Sequence, residues 1–373
     1  MSEEPMDELL SAADDLPIHQ IAEPVAVVGT SDRNFYDRYY FFAHHCSDEI
    51  AVTAGLGQYP NLGVSDAFMA VTRHGRQDVI RSSRELAGDR LDVSVGPISI
   101  HVEQGLQRLR LVVEPNAAGI EADLTWDGNI AAHREPRHIN RNGPRVTTDS
   151  VRFCQTGTWS GLLVVDDQTW RLDDGNWWGA RDRSWGIRPV GDSEPPGRRF
   201  GSRARGFLWL YGVLRFEDRV VVFIVQEDSA GARSLEHAAM VFADGRPAET
   251  LGRPDHDLDI DPLTRQVRAA TIRFERSPLE LSVSPLAASF LALGTGYGTE
   301  PDWRHGLYQG PLAVERQTYD LTDPEVQART YGLIDSVARV RLGDAEGYGL
   351  FEYAVLGRND RYGPFARPGG GGT

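Results

Sequence analysis

The densest chemistry in the chain lies at Asn176–Arg188, where three Trp, three Arg and one Asp fall within thirteen residues. On a strand, alternation places Asp182 and Ser184 on one face and Arg181, Arg183 and Trp185 on the other. A carboxyl flanked by cations is normally ionised, because nearby positive charge lowers its pKa. The same carboxyl turned into an apolar cavity is pushed up and can stay protonated near neutrality. A carboxylic acid kept protonated in this way can act as a general acid. Asp182 is therefore the candidate acid, with Trp177, Trp178, Trp185, Arg181, Arg183 and Tyr39 as candidate substrate contacts. The competing reading makes Arg181, Asp182, Arg183 and Trp185 a structural plug with Asp182 in a partly buried salt bridge. Asp37, Arg38, Tyr39 and Tyr40 line either a pocket mouth or the core under a first strand. Glu352 is a second candidate buried acid, although most strand Glu residues face solvent.

Other patterns fail on their own chemistry. The chain contains no Lys, which excludes a Schiff-base mechanism and a Lys-dependent phosphate loop. Gly55-x-Gly57 lacks the third Gly and the following helix of a dinucleotide site. Gly294-Thr295-Gly296-Tyr297-Gly298 reads as a turn. Asp255, Asp257, Asp259 and Asp261 alternate like a calcium loop, but Ile260 stands where Gly is needed and no Glu closes it, so a solvated acidic turn is expected. No Gly-x-Ser-x-Gly elbow occurs. His44 and His45 point to opposite faces of a strand; His44 and Cys46 share one, yet two ligands make no metal centre, and none is expected. His133 and His138 have no defensible partner spacing. Cys46 and Cys154 are too few for a disulfide scaffold and read as free thiols in a reducing compartment.

The elements that must position these residues are strands. Period-two alternation recurs nearly everywhere. Phe207–Phe216 and Arg219–Gln226 form one hairpin around Glu217 and Asp218. Further strands are expected at Glu49–Ala54, Ala67–Thr72, Ile98–Glu103, Arg108–Val113, Ile120–Trp126 and Leu162–Asp166. Later ones fall at His237–Phe242, Ala269–Phe274, Leu279–Val283, Val337–Leu342 and Tyr348–Val355. Asp-Gly pairs ending at Gly128, Gly175 and Gly245 supply turn chemistry, and one short helix is expected near Pro324–Arg329. Many short strands argue for barrels or sandwiches, so the fold class is all-β.

With 373 residues there is room for two cores. The organisation expected is an acidic disordered tail over 1–20, β-domains over 21–175 and 176–366, and a flexible Gly-rich tail over 367–373. A formal net charge of −15 repels phosphate backbones, so nucleic acid is not an expected partner. No apolar run reaches the ~20 residues of a membrane helix, and the acidic N-terminus is no signal peptide, so a cytoplasmic location is expected.

Gly179–Arg188 resembles the signature of the lipocalin-like family that includes carotenoid 1,2-hydratase (hydroxyneurosporene synthase) and AttH-type proteins. Asp37–His45 with Thr53–Ala67 resembles the N-terminal half of an uncharacterised bacterial branch of that group. Gly296–Gly298, Trp303–Gly306 and Gly347–Glu352 resemble its C-terminal half. The resemblance spans about Phe35 to Gly363 and implies two tandem lipocalin-like (calycin-type) antiparallel barrels. It also implies a cofactor-independent lyase or cyclase acting on a hydrophobic isoprenoid-, lipid- or polyketide-like molecule in or between the barrels, with Asp182 as the acid. The hydratase motif reads Asp-His-Asn-Trp-Gly; here Arg183 replaces its titratable His. The alternative from another class is a non-catalytic binding protein for a hydrophobic ligand. Oligomeric state is not legible in the sequence.

Overall fold

Alternation along the chain resolves into 23 strands in two antiparallel sheets in a computed structural model that describes residues 11–195, 206–298 and 300–363. The first sheet contains β1 (Phe35–His44), β2 (Ile50–Tyr59), β3 (Val64–Arg73), β4 (Arg76–Glu85), β5 (Ile98–Gln104), β6 (Arg108–Val113), β7 (Ile120–Gly128), β8 (Arg145–Val165) and β9 (Trp178–Ile187). The second contains β10 (Gly206–Arg215), β11 (Arg219–Asp228), β12 (Arg233–Phe242), β13 (Pro254–Ile260), β14 (Val267–Phe274) and β15 (Ser277–Phe290). The chain then returns to the first sheet as β16 (Leu312–Asp320) before completing the second with β17 (Ile334–Leu342) and β18 (Ala345–Gly357).

In the first sheet the order is β16-β4-β3-β2-β1-β9-β8-β7-β6-β5, ending on the two-residue strand Ser94–Val95. That end curls back toward the start: Arg84 Nε on β4 donates to Ser94 O at 2.6 Å, and Gly96 packs against Val314 of β16. The result is a nearly closed barrel filled by Phe41, Val52, Met69, Leu111, Trp126 and Trp159. The second sheet, ordered β12-β11-β10-β18-β17-β15-β14-β13, is a half-barrel packed on the outer face of the first. The second core spans that junction, joining Tyr40, Phe42, Cys154 and Ala180 to Leu210, Phe223, Ile272 and Phe351.

Alternation divides β1 cleanly. Phe41 and Ala43 enter the barrel; Tyr40 and Phe42 face the second sheet. Gly179 on β9 has no room for a side chain, because a Cβ there would lie 2.0 Å from the Phe42 carbonyl oxygen and 2.6 Å from Trp159 Nε1. Trp159 uses the gap to donate from Nε1 to that same carbonyl at 3.1 Å.

Several expectations need correction. The boundary at 175/176 cuts the first sheet, since β9 pairs on both edges with β1 and β8. Asp127 and Gly128 finish β7 rather than forming a turn, whereas Gly175 and Gly245 do adopt positive φ of 76° and 78°. Asp255, Asp257 and Asp259 lie on β13, where Arg361 pairs with the first two; they form no acidic turn. Residues 11–20 are not featureless: Ser11 caps a 3-10 turn over Ala12–Asp15, and Ala13 is buried. The helix narrows to Pro324–Gln327. The expectations for residues 1–10, for the Pro/Gly/Arg-rich stretch 196–205 and for the tail 367–373 lie outside the described residues. Among the described residues no helix is long and apolar enough to cross a membrane.

Candidate functional site

Asp182 sits on β9 with Tyr40 of β1 and Cys154 of β8 as its cross-strand partners. Its side chain shares a face with Ser184, as the alternation expected, and that face meets the second sheet. Arg181 and Arg183 turn the other way, toward the barrel interior. Arg181 Nε donates to Gln155 Oε1 at 2.9 Å, and its guanidinium lies 5.2 Å from the Phe153 ring centre. Arg183 pairs with Asp37 and stacks 3.8 Å over the Tyr39 ring. The guanidiniums of Arg181 and Arg183 are therefore committed elsewhere, Arg188 lines the same cavity as Asp182 without pairing with it, and Asp182 forms no hydrogen bond or ion pair among the described residues.

Asp182 opens instead onto a cavity of about 540 Å³ between the two sheets. The first sheet contributes Tyr36, Tyr40, Ser150, Arg152, Asp182 and Ser184, and the adjoining segment adds Glu135 and His138. From the second sheet come Phe207, Trp209, Leu235, Glu352, Ala354 and Leu356. Leu333 and Tyr297 arrive on connecting segments. Apolar side chains thus form much of one wall, and titratable groups gather on the other and at its foot.

The charges in this wall are arranged so that Asp182 is not neutralised. Arg152 Nε donates to Glu135 Oε2 at 2.6 Å and stacks 4.0 Å over the Tyr211 ring. Tyr211 donates to Glu135 Oε1 at 2.8 Å. Arg152 is thus already paired. Burial away from bulk solvent pushes the Asp182 carboxyl up to about 7; Arg152 and Arg188 oppose that, while Glu135 and Glu352 reinforce it. The side chain nonetheless retains some exposure to the cavity, as a proton donor requires.

A second pair of carboxyls lies under the same cavity. Asp335 of β17 and Glu352 of β18 are direct cross-strand partners in the second sheet. Tyr40 donates its hydroxyl proton to Asp335 Oδ2, and Trp209 Nε1 donates to Glu352 Oε1. Burial raises both carboxyls, and each also acts on the other.

Of the seven sequence-derived candidates, Asp182 alone lines this cavity. Trp177 is buried in the barrel interior beside His45. Trp178 stacks on Arg215, 4.2 Å from the guanidinium, at the sheet junction. Trp185 is 41% exposed, with its ring against Phe153. Tyr39 lies under Arg183, and Arg181 is inside the barrel. The expected grouping of these six around Asp182 is therefore corrected: the odd-numbered ones among them belong to the opposite face of the sheet. Tyr40 does reach the cavity, and Glu352 does prove to be a buried acid. Arg38 is buried and stacks 4.9 Å from the Tyr297 ring centre.

Glu135, Arg152, Trp209 and Asp335 were missed. Asp335 carried a readable signal, an acid inside the apolar run Leu333–Val337. Glu135 and Arg152 carried none: Glu135 lies in an Arg-rich segment, and Arg152, between Val151 and Phe153, reads as the solvent-facing position of an alternating strand. His133 Nε2 meets His237 Nε2 at 2.8 Å across the sheets, and His138 contacts Asn140 at 2.9 Å. His44 is buried and its Nδ1 accepts from the Cys46 N–H at 3.1 Å. Among the described residues no group of three or more His, Cys, Asp or Glu is arranged to hold a metal ion.

Comparison with solved structures places this architecture. A protein assigned as AttH from Nitrosomonas europaea superposes with a TM-score of 0.54 at 13% identity, covering 91% of this chain and 98% of that one. Kievitone hydratase from Nectria haematococca gives 0.47 at 13% identity, covering 89% and 93%. CghA gives 0.45 at 11% identity, covering 88% and 89%. The AttH-like lipocalin fold implied by the sequence resemblance is the fold observed. Comparison with the curated proteins finds no match. By its sequence from residue 10 to residue 365, the chain belongs to DUF8625, a family of unknown function.

Proposed function

We propose that this protein is a cofactor-independent lyase or cyclase acting on a largely apolar small molecule held between its two sheets, with Asp182 as proton donor. One observation carries the reading: a desolvated carboxyl, free of ion pairs and pushed up to about 7, faces a cavity of about 540 Å³. Cavities of roughly 300–1,000 Å³ suit a single small ligand. A general acid works best when its pKa lies near the working pH, because it is then protonated yet still gives its proton readily. Protonation of an alkene or carbonyl by Asp182 would generate a cation or activated electrophile among Tyr36, Tyr40 and Trp209, whose ring faces can stabilise it. Water then adds, in a hydration, or a second part of the same molecule attacks, in a cyclisation. The mixture of apolar and polar lining suits an oxygenated isoprenoid, lipid or polyketide-like substrate.

The test begins with native mass spectrometry of the protein from its own host, to identify a retained small molecule, followed by assay of that molecule and its hydrated or dehydrated forms. Asp182→Asn keeps the size of the side chain and removes the acid. It should retain the ligand and lose at least about a hundredfold in turnover. A protein that returns its ligand unchanged, with wild type and Asp182→Asn alike, would instead be a hydrophobic-ligand carrier.

A further inference from the structure

We propose that Glu352 is the base of this site, so that the cavity holds a proton donor on the wall of the first sheet and a proton acceptor on the wall of the second. The inference rests on the assignment of Asp182 as the acid, and it adds a residue and a division of labour to that assignment.

The carboxyls of this site have unequal surroundings. Asp182 has no hydrogen-bond donor among the described residues, and only the charges of Arg152 and Arg188 favour its anion. Glu352 has one, the Trp209 indole N–H, and faces the Arg152 and Arg188 guanidiniums. Its cross-strand neighbour Asp335 is fully buried, Asp335 Oδ1 has no donor among the described residues, and the carboxyls of Asp335 and Glu352 are in contact. Two carboxylates cannot share such a contact; one proton between them removes the repulsion and satisfies both oxygens. Tyr40 holds the other Asp335 oxygen from the first sheet. Each carboxyl of the pair has one donor, but Glu352 also faces two guanidiniums and borders the cavity whereas Asp335 is fully buried, so the proton resides on Asp335 and Glu352 presents an ionised carboxylate to the ligand. Environments that drive two carboxyls of one site apart separate the acid from the base.

The division completes a hydration without any further reactant than water. Asp182 gives its proton to one alkene carbon; the π electrons form the new C–H bond and leave a cation on the other carbon. A water oxygen bonds to that cation, and the proton it releases goes to Glu352. One water is consumed, Asp182 ends as a carboxylate and Glu352 ends protonated. Return of that proton to Asp182 restores the site, and dehydration runs the same steps in reverse.

Infrared difference spectroscopy of the full-length protein at neutral pH reads this directly, without a known substrate. The wild type minus Glu352→Gln spectrum should show loss of an ionised carboxylate band. Loss of a protonated carboxyl C=O band instead would overturn the proposal. Asp335→Asn should remove a protonated band; removal of an ionised one would reverse the roles and defeat it equally. If Glu352→Gln does not fold, Trp209→Phe serves: loss of the indole N–H should shift an ionised band, and a shift confined to protonated carboxyls contradicts the assignment. The acid is tested apart from the base. In mildly acidic buffer, wild type minus Asp182→Asn should lose a protonated band, and its absence would sink the Asp182 assignment while leaving the state of Glu352 readable.

Discussion

Because burial raises Asp182 from an ordinary value of 3.8 to about 7, folding favours the neutral form of this side chain. Below the ordinary value both folded and unfolded chains carry the proton, and the group does not affect stability. Between about 4 and 7 the unfolded chain releases its proton while the folded chain keeps it, so stability falls as pH rises. The accumulated loss above neutrality is on the order of 4 kcal/mol, at about 1.4 kcal/mol per unit. Asp182→Asn removes the titration but keeps the shape. We expect it to melt at a higher temperature than wild type at about pH 8, with the gap closing by about pH 4. Calorimetry at both pH values checks this. If Asp182 were instead the anion of a structural salt bridge, the substitution would lower the melting temperature at about pH 8. Retention of a destabilising group is what a working acid requires and what a plug does not.

At the scale of elements, the strand that needs most explanation is β16, which leaves the second half of the chain to pair with β4 in the first sheet. Asp78 of β4 holds it. This fully buried carboxylate accepts from Arg73 Nη1 at 2.7 Å, and from Arg76 Nη2, Arg316 Nη2 and Thr318 Oγ1 at 2.8 Å each. Burial alone would raise its pKa, but hydrogen bonds from Arg76, Arg316, Thr318 and Arg73 outweigh burial and hold it at about 2. Its stabilisation is present above the ordinary 3.8 and is lost as pH falls through about 2. Asp78→Ala should lower the unfolding free energy by about 3–5 kcal/mol, measured by denaturant titration at neutral pH, since it leaves the buried Arg73 guanidinium without its carboxylate and removes the acceptor of Arg76, Arg316 and Thr318. None of this was legible in sequence: Asp78 and Arg316 lie 238 residues apart, and each looks like a solvated strand residue. The strands with strong alternation were legible, among them Arg108–Val113, whose observed bounds match. The division of the chain was not, because β9 follows a charged, Gly-containing loop that reads as a linker yet enters the middle of the first sheet. Period-two reasoning placed Asp182 and Ser184 on one face and Arg181, Arg183 and Trp185 on the other, as observed; it could not say that the first face meets a second sheet while the other belongs to the barrel.

For the molecule as a whole, the site exists only where two sheets meet. Asp182, Tyr40 and Arg152 come from one sheet and Glu352, Trp209 and Leu356 from the other, so neither half makes the cavity alone. The second sheet closes the cavity onto which Asp182 of the first sheet opens, and so contributes to the burial that raises it. The pKa of this one carboxyl is therefore a property of the assembled protein, and it is the quantity on which the proposed chemistry depends. It can be measured by carbon-13 NMR of the full-length protein labelled at its Asp carboxyls. The Asp182 signal is identified by its loss in Asp182→Asn. A titration midpoint near about 7 is the expected result. A midpoint near the ordinary 3.8 would contradict the account, because the carboxyl would then be an anion at neutral pH with no proton to give.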